Sequence, residues 1–355
     1  MGSPRLLVVA ALCVDQCIPE LPSLPVPNEP FAVLEHVNLN SGRAWDRRVD
    51  AFYFDVLRCA RDSRASHTLT RTNDAREVRS QPALANLSWA NVGLQQFHLP
   101  FGDGMEDGDG HHFQTMRGEI ALLYARGALD DLRARLEAWG AAVDDEFRFE
   151  GPFGNRFVVE AVDDARAREL VGPVKGVKKG GMDTMFMGIS EGVGIRGVAF
   201  DVPAGAARKI CKFYDLVFHA KTTLSKGACA VAIGFEQRIT FTDVAGGDVP
   251  AYDGHHLAIY VNGDAWTAIY DQLFVRGLLY NNPRFPQFTY DSLKDALEHN
   301  EFRIRGFPDL DAVEGHGHPI IFELEHEIRN LRHPGFALKS RLPRGPEHGF
   351  FGNEL

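Results

Sequence analysis

Three acidic residues alternate near the end of this 355-residue chain, in Glu323-Leu324-Glu325-His326-Glu327. Residues two apart on a strand share a face, so this spacing aims three carboxylates in one direction. Buried carboxylates left unpaired cost several kcal/mol, so the face needs a cation or an arginine. One of Glu323, Glu325 and Glu327 is expected to bind a metal ion and a neighbour to act as general base, with Arg329 or Arg332 as the alternative partner. A second set of ligand-type side chains precedes an apolar run, in His255-His256-Leu257-Ala258-Ile259-Tyr260. Strand alternation puts the two imidazoles on opposite faces. Carboxylate, amide and imidazole donors suit Zn, Mn, Fe, Co, Ni or Mg. The five cysteines (Cys13, Cys17, Cys59, Cys211, Cys229) have no zinc-ribbon or thioredoxin spacing, and their odd number reads as a reducing compartment.

The elements that position these groups occur twice. Leu34-Glu35-His36-Val37-Asn38-Leu39, a helical Asp50 to Leu57 and Val92-Gly93-Leu94-Gln95-Gln96-Phe97 reappear as Ile195 to Phe200, Lys212 to Val217 and Ile233-Gly234-Phe235-Glu236-Gln237-Arg238. A period of roughly 160 residues is too long for a solenoid unit and indicates two copies of one domain. Within each copy the hydrophobic periodicity gives two strand-helix-strand modules. The first has strands at Val33 to Asn40 and Trp89 to Leu99, a helix at Asp46 to Arg58 and a weak strand at 67–70. The second has Gly118 to Ala125, an amphipathic helix Leu129 to Trp139 and Arg156 to Val162. The third runs through Gly197 to Val202, Ala206 to Val217 and Cys229 to Thr242. The fourth opens at Asp253 and closes at Ile320 to Glu327, with a longer segment, Asn282 to Val313, that is a lid or an insertion. The expected division is a Pro-rich leader 1–30, a first domain 31–170, a linker 171–194, a second domain 195–340 and a tail 341–355.

A formal net charge of −10 with scattered Lys and Arg argues against nucleic acid or an anionic membrane as partner. Leu6 to Val14 is too short to span a bilayer. The expected location is the cytoplasm, or an organelle if Leu6 to Val14 belongs to a targeting segment. The Gly- and Asp-rich stretch 101–110 lacks the spacing and terminal glutamate of a calcium loop.

Four modules in this order, with His36 and His256 on opening strands and Gly-x-x-Gln on closing strands, resemble the vicinal oxygen chelate superfamily of glyoxalases, bleomycin-resistance proteins and extradiol dioxygenases. The resemblance covers about 31–335 and implies an α+β fold: four βαβββ modules forming two tandem cupped sheets, each able to hold a divalent metal that a small substrate chelates through neighbouring oxygens. Carried over residue by residue, it implies ligands His36, Gln96, Glu119 and Glu160 in the first copy. In the second it implies Gln237, His256 and Glu323, with Gly197 in place of a fourth ligand and Glu325 as the alternative to Glu323. Glu323 and Glu325 are the catalytic candidates. Extradiol iron chemistry needs two histidines and one carboxylate on one metal, and neither copy aligns two histidines unless His98 or His255 turns inward. The resemblance therefore implies a metal-dependent, glyoxalase-like lyase or isomerase working by proton transfer. The alternatives are a non-haem iron dioxygenase of the same fold and a non-catalytic small-molecule-binding protein. A monomer or homodimer is expected.

Overall fold

The computed structural model describes residues 30–42, 46–62, 87–101, 113–171, 177–179, 182–184, 186–187, 190–234, 236–245, 249, 251–312, 318–333 and 335. Nearly all of the leader, the weak strand at 67–70, most of 101–110, Cys13, Cys17 and the tail 341–355 lie outside them.

The first module is β1 (Phe31–Asn38), a helix Arg47–Asp50 continuing as a π-helix Ala51–Val56, β2 (Ala60–Asp62), β3 (Leu87–Val92) and β4 (Gln95–Pro100). Asp46 starts the helix by accepting from the Arg48 N–H, satisfying a donor the first turn leaves open. The strand expected over Trp89 to Leu99 is a hairpin, because Gly93 adopts φ +58° and turns the chain. The second module is β5 (Gly118–Ala125), a helix Leu129–Trp139, β6 (Arg148–Glu150) and β7 (Arg156–Val162). Its helix buries Leu132 and Leu136, one turn apart, and stops at Gly140 with φ +94°. The connector carries short strands β8 (Val177–Lys179), β9 (Met182–Thr184) and β10 (Phe186–Met187).

The third module is β11 (Gly192–Pro203), a helix Ala206–Phe218, β12 (Thr222–Ser225), β13 (Ala228–Ile233) and β14 (Gln237–Val244). The fourth is β15 (His256–Val261), helices Gly263–Val275 and Leu293–His299, β16 (Glu301–Pro308) and β17 (Ile320–Asn330). The segment Asn282 to Val313 is therefore part of the module, since it supplies a helix and a sheet strand. Modules one and three show all four strands of a βαβββ unit; modules two and four show three each among the described residues.

Two open sheets result, ordered β10-β2-β3-β4-β1-β15-β17-β16 and β12-β13-β14-β11-β5-β7-β6. Module one joins module four through antiparallel β1 and β15. Module two joins module three through antiparallel β5 and β11. The fold is α+β with four modules in two sheets, and each sequence half, 31–170 and 195–340, gives one module to each sheet.

The halves clasp each other by a reciprocal device. Gln237 on β14 accepts from Leu34 N (2.9 Å) and donates to the carbonyls of Leu34 (3.1 Å) and Ile195 (2.8 Å). Gln95 on β4 accepts from Ile195 N at 3.2 Å. At each crossing a glycine permits the approach: a Cβ on Gly234 would meet Ala32 O at 1.9 Å, and one on Gly93 would meet Val193 O at 2.1 Å. No side chain fits either place.

Cys211 in the third module's helix and Cys229 on β13 are joined by a disulfide, and Cys59 is buried and free. Spacing alone missed this pair, because helix-on-sheet packing brings together cysteines 18 residues apart. Disulfides belong mainly to oxidising compartments, so the cysteine count does not carry the reducing-compartment reading. Among the described residues no helix is long and apolar enough to cross a membrane.

Candidate metal centre

The seam between modules one and four places His36 of β1 beside β15. A β-bulge lies between Leu34 and His36, and bulges re-aim the side chains that follow them. His36 then sits opposite Ala258, two residues from His256, while Ala258 is in register with Glu327 on β17. His36, His256 and Glu327 converge as the one such group of metal-ligand side chains among the described residues, and all three are buried.

The separations are 3.5 Å between the two Nε2 atoms, 3.5 Å from His256 Nε2 to Glu327 Oε2, and 3.9 Å from His36 Nε2 to the same oxygen. A point equidistant from three atoms so placed lies about 2.1 Å from each, within the ~2.0–2.2 Å range of Zn bound to N and O donors. Burial lowers the pKa of His36 to about 4, against the upward pull of Glu35. Burial likewise lowers that of His256, against Glu327. Both rings are neutral at pH 7 and offer nitrogen lone pairs. The Nδ1 atom of His256 is buried with no hydrogen-bond partner among the described residues, while that of His36 lies 3.5 Å from Glu35 Oε2.

The triad sits in a cluster of buried charges: among the described residues Glu35, Glu301, Glu325 and Glu327 gather around Arg303 and Arg329. Arg303 reaches Glu325 at 2.6 Å and Glu327 at 2.7 Å, and Arg329 pairs with Glu35 and Glu327. Against the opposing effect of burial, Arg303 and Arg329 hold Glu327 well below the usual carboxylate range. Burial and the neighbouring Glu327 push Glu301 upward, so the cluster resists its fourth negative charge. A divalent cation between His36, His256 and Glu327 would bring positive charge to this carboxylate-rich cluster. The donor set and its electrostatics fit such an ion.

The wall behind His36 is aromatic. His98 stacks on His36 at 3.7 Å and Trp89 stacks on His98 at 4.7 Å. Gln96, in register with His36 on β4, has its amide occupied by Asn91 Oδ1 (2.6 Å) and His98 Nε2 (3.2 Å). It buttresses the wall and stands outside the triad.

The other sequence candidates are placed elsewhere. Gln237 is the clasp described above. Glu119 pairs with Arg148 at 3.0 Å and Glu160 with Arg238 and Arg196, all partly solvent-exposed. Glu323 is partly exposed against Arg305 at 3.1 Å. Glu325 is buried beside His256 but held by Arg303 and by Asn282 Nδ2 at 3.0 Å. Of the three alternating carboxylates, the structure brings Glu327 to the histidines.

No protein-family profile matches the sequence, and no curated protein matches it significantly. Similar solved structures include a Bacillus subtilis protein assigned as a dioxygenase, 12% identical over 89% of this chain and 91% of that one, with TM-score 0.48. A variant of glyoxalase I from Zea mays is 13% identical over 83% and 92%, with TM-score 0.41. A variant of 4-hydroxymandelate synthase from Streptomyces coelicolor is 14% identical over 88% and 98%, with TM-score 0.27.

Proposed function

We propose that this chain is a vicinal-oxygen-chelate-type metalloenzyme with one mononuclear centre, His36, His256 and Glu327, and that it is a non-haem iron dioxygenase acting on a small substrate with two neighbouring oxygens. The observation that carries this reading is the meeting of two neutral imidazoles and one carboxylate around a space of metal-ligand radius. Two histidines and one carboxylate with open positions are the donor set of iron(II) oxygenases. A bound divalent cation supplies Lewis acidity to chelating oxygens, and iron adds redox chemistry toward dioxygen.

The protein's own groups set the stage for that ion. Arg303 and Arg329 keep Glu327 ionised, and the Trp89–His98 stack fixes the ring of His36. The buried phenol of Tyr290 donates to Glu301 Oε1 at 2.7 Å and holds the outer carboxylate in place. Glyoxalase-like proton transfer, the first reading of the sequence, needs an unoccupied carboxylate as base. Glu325 is committed to Arg303 and Asn282, and this favours the dioxygenase alternative.

The test is oxygen uptake by iron(II)-loaded protein on a panel of catechols, alongside deuterium exchange on 2-oxoaldehyde thiol adducts and α-acidic thioesters. Iron-dependent uptake that His256→Ala abolishes is the expected result. Metal-dependent exchange without uptake would return the chain to the lyase or isomerase class. Neither activity, with metal still bound, would leave a binding protein.

A further inference from the structure

A second site faces away from the metal centre. Residues 255 and 256 are neighbours whose side chains point to opposite sides of the backbone. While His256 turns to Glu327, His255 turns into a cleft of ≈ 280 Å³ walled by Phe200, Phe322 and Tyr252, with Glu323 and Arg117 also lining it. Its ring stacks over Phe200 at 6.0 Å with an interplanar angle of 12°, and tilts against Tyr252 at 5.3 Å.

The tautomer of His255 is fixed from behind. Nδ1 lies 2.6 Å from Asp253 Oδ1, and a carboxylate can only accept, so Nδ1 carries the proton. Asp253 is itself anchored, its Oδ2 accepting from Thr115 N at 2.8 Å. With the proton on Nδ1, Nε2 is the ring's acceptor. That atom is buried, on a residue only 7% exposed, and has no hydrogen-bond partner among the described residues. The other hydroxyls of the wall are spent on backbone. Tyr252 donates to the carbonyl of His255 (2.8 Å) and Thr115 Oγ1 to that of Phe153 (3.0 Å). Glu323 is paired with Arg305. A buried acceptor without a donor is costly, and this one is set among aromatic faces.

We propose that the cleft binds a single-ring phenol, whose hydroxyl donates to His255 Nε2 and whose ring packs on Phe200, Phe322 and Tyr252. The volume is near the lower end of ligand pockets, ~300–1,000 Å³, and so favours one ring over a larger molecule. Aromatic walls select a flat apolar body, and the fixed acceptor selects a hydroxyl over a carboxylate or an ether. The site is separate from the metal ligands and takes the ligand without requiring the metal.

Phenol and toluene differ by the hydroxyl that the acceptor reads, so they are the probes. Titration of the full chain with ¹⁵N-labelled histidine by phenol should move the Nε2 resonance of His255 saturably, and calorimetry should show toluene binding at least tenfold more weakly. His255→Phe keeps the aromatic stack and removes the acceptor; its affinity for phenol should fall to that for toluene, with metal content unchanged. His256→Ala should lose metal and keep phenol binding, which separates failure of this site from failure of the metal assignment. Equal affinity for toluene, an unmoved His255 resonance at saturating phenol, or loss of phenol binding in His256→Ala would each overturn the proposal. If His255→Phe does not fold, the resonance shift and the toluene comparison decide it in the wild-type chain.

Discussion

Replacing Glu327 by Gln separates a metal ligand from a structural ion-pair partner, because the two roles give different ledgers with and without metal. In metal-free protein Glu327→Gln leaves neither arginine alone. Arg303 keeps Glu325 at 2.6 Å and Glu301 at 3.4 Å, and Arg329 keeps Glu35. The substitution also removes one negative charge from the cluster and relieves Glu301, whose pKa burial and Glu327 push upward. The metal-free cost should thus be at or below the low end of the ~3–5 kcal/mol seen when a buried pair is broken outright. The metal-bound form loses a charged donor from a buried site with no replacement. At ~3–4 kcal/mol, that is roughly a 10²–10³-fold loss of affinity, at 1.4 kcal/mol per tenfold. Metal at 100 times the wild-type Kd stabilises the wild type by ~2.7 kcal/mol; with a Kd 100-fold weaker the same concentration adds only ~0.4 kcal/mol. Denaturation with manganese(II), zinc(II) or chelator measures this difference directly. Equal destabilisation of the variant under all three conditions, with metal content retained, would make Glu327 a salt-bridge residue and refute the centre.

Elemental analysis should find one metal per chain, removed by His36→Ala and by His256→Ala but retained in Glu119→Gln and Glu160→Gln; two metals per wild-type chain would contradict the single site. Gln237→Ala should lose ~1–3 kcal/mol of stability from its orphaned backbone partners while keeping metal affinity, and a loss of metal affinity in still-folded protein would restore Gln237 as a ligand. Acid should destabilise the metal-free protein from just below pH 6.5. Burial lowers His36, His326 and His333 each from 6.5 to about 4, so between those values the unfolded chain binds more protons than the folded one. Stability then falls with decreasing pH at ~1.4 kcal/mol per unit for each group, with the raised Glu301 acting in the opposite sense. A flat urea midpoint from pH 7 to 5 would show that these rings are not buried neutral.

The sequence was informative where chemistry and periodicity coincide and misleading where a repeat had a structural cause. His36 and His256 were legible as ligand-type residues at strand starts, and the alternating carboxylates were legible as a face needing a cation. Their union was hidden, because the sequence shows modules in order and does not show that the first pairs with the fourth. Within either half alone no two histidines align, because His36 and His256 belong to different halves. The repeated glutamine misled for a different reason. Gly93 and Gly234 are equivalent at the sheet crossings, but a one-residue difference follows: Gln95 and Gln237 both accept from the opposite half, while Gln96 falls in register with His36. The recurring Gly-x-x-Gln therefore joins unlike residues: Gln237 is a backbone clasp, whereas Gln96 braces His98 and the first half's clasp is its neighbour Gln95. Glu327 was within the set of three, and only the register of β17 against β15 distinguishes it from Glu323.

The same registers show how, among the described residues, the second sheet differs from the first at the positions of His36, His256 and Glu327. In the first sheet His36 lies opposite Ala258 and beside Gln96, and Glu327 lies opposite Arg303. In the second sheet the corresponding pairings put Gly197 opposite Ala121 and beside Arg238, and Val158 opposite Arg148. The His36 position is thus Gly197, the Glu327 position is Val158 and the His256 position is Glu119. Arg148, which occupies the place of Arg303, pairs with Glu119 at 3.0 Å, so the one remaining donor already has its cation. The gap at Gly197 is enforced by the backbone: a Cβ there would meet Arg238 O at 2.1 Å, which leaves no room for a histidine without moving β14 away from β11. A glycine that allows this close strand approach and an arginine that pairs with the carboxylate at the His256 position thus set the second sheet apart from the first. The clasp of Gln237 ties that sheet to β1, the strand that presents His36, through the backbone of Leu34.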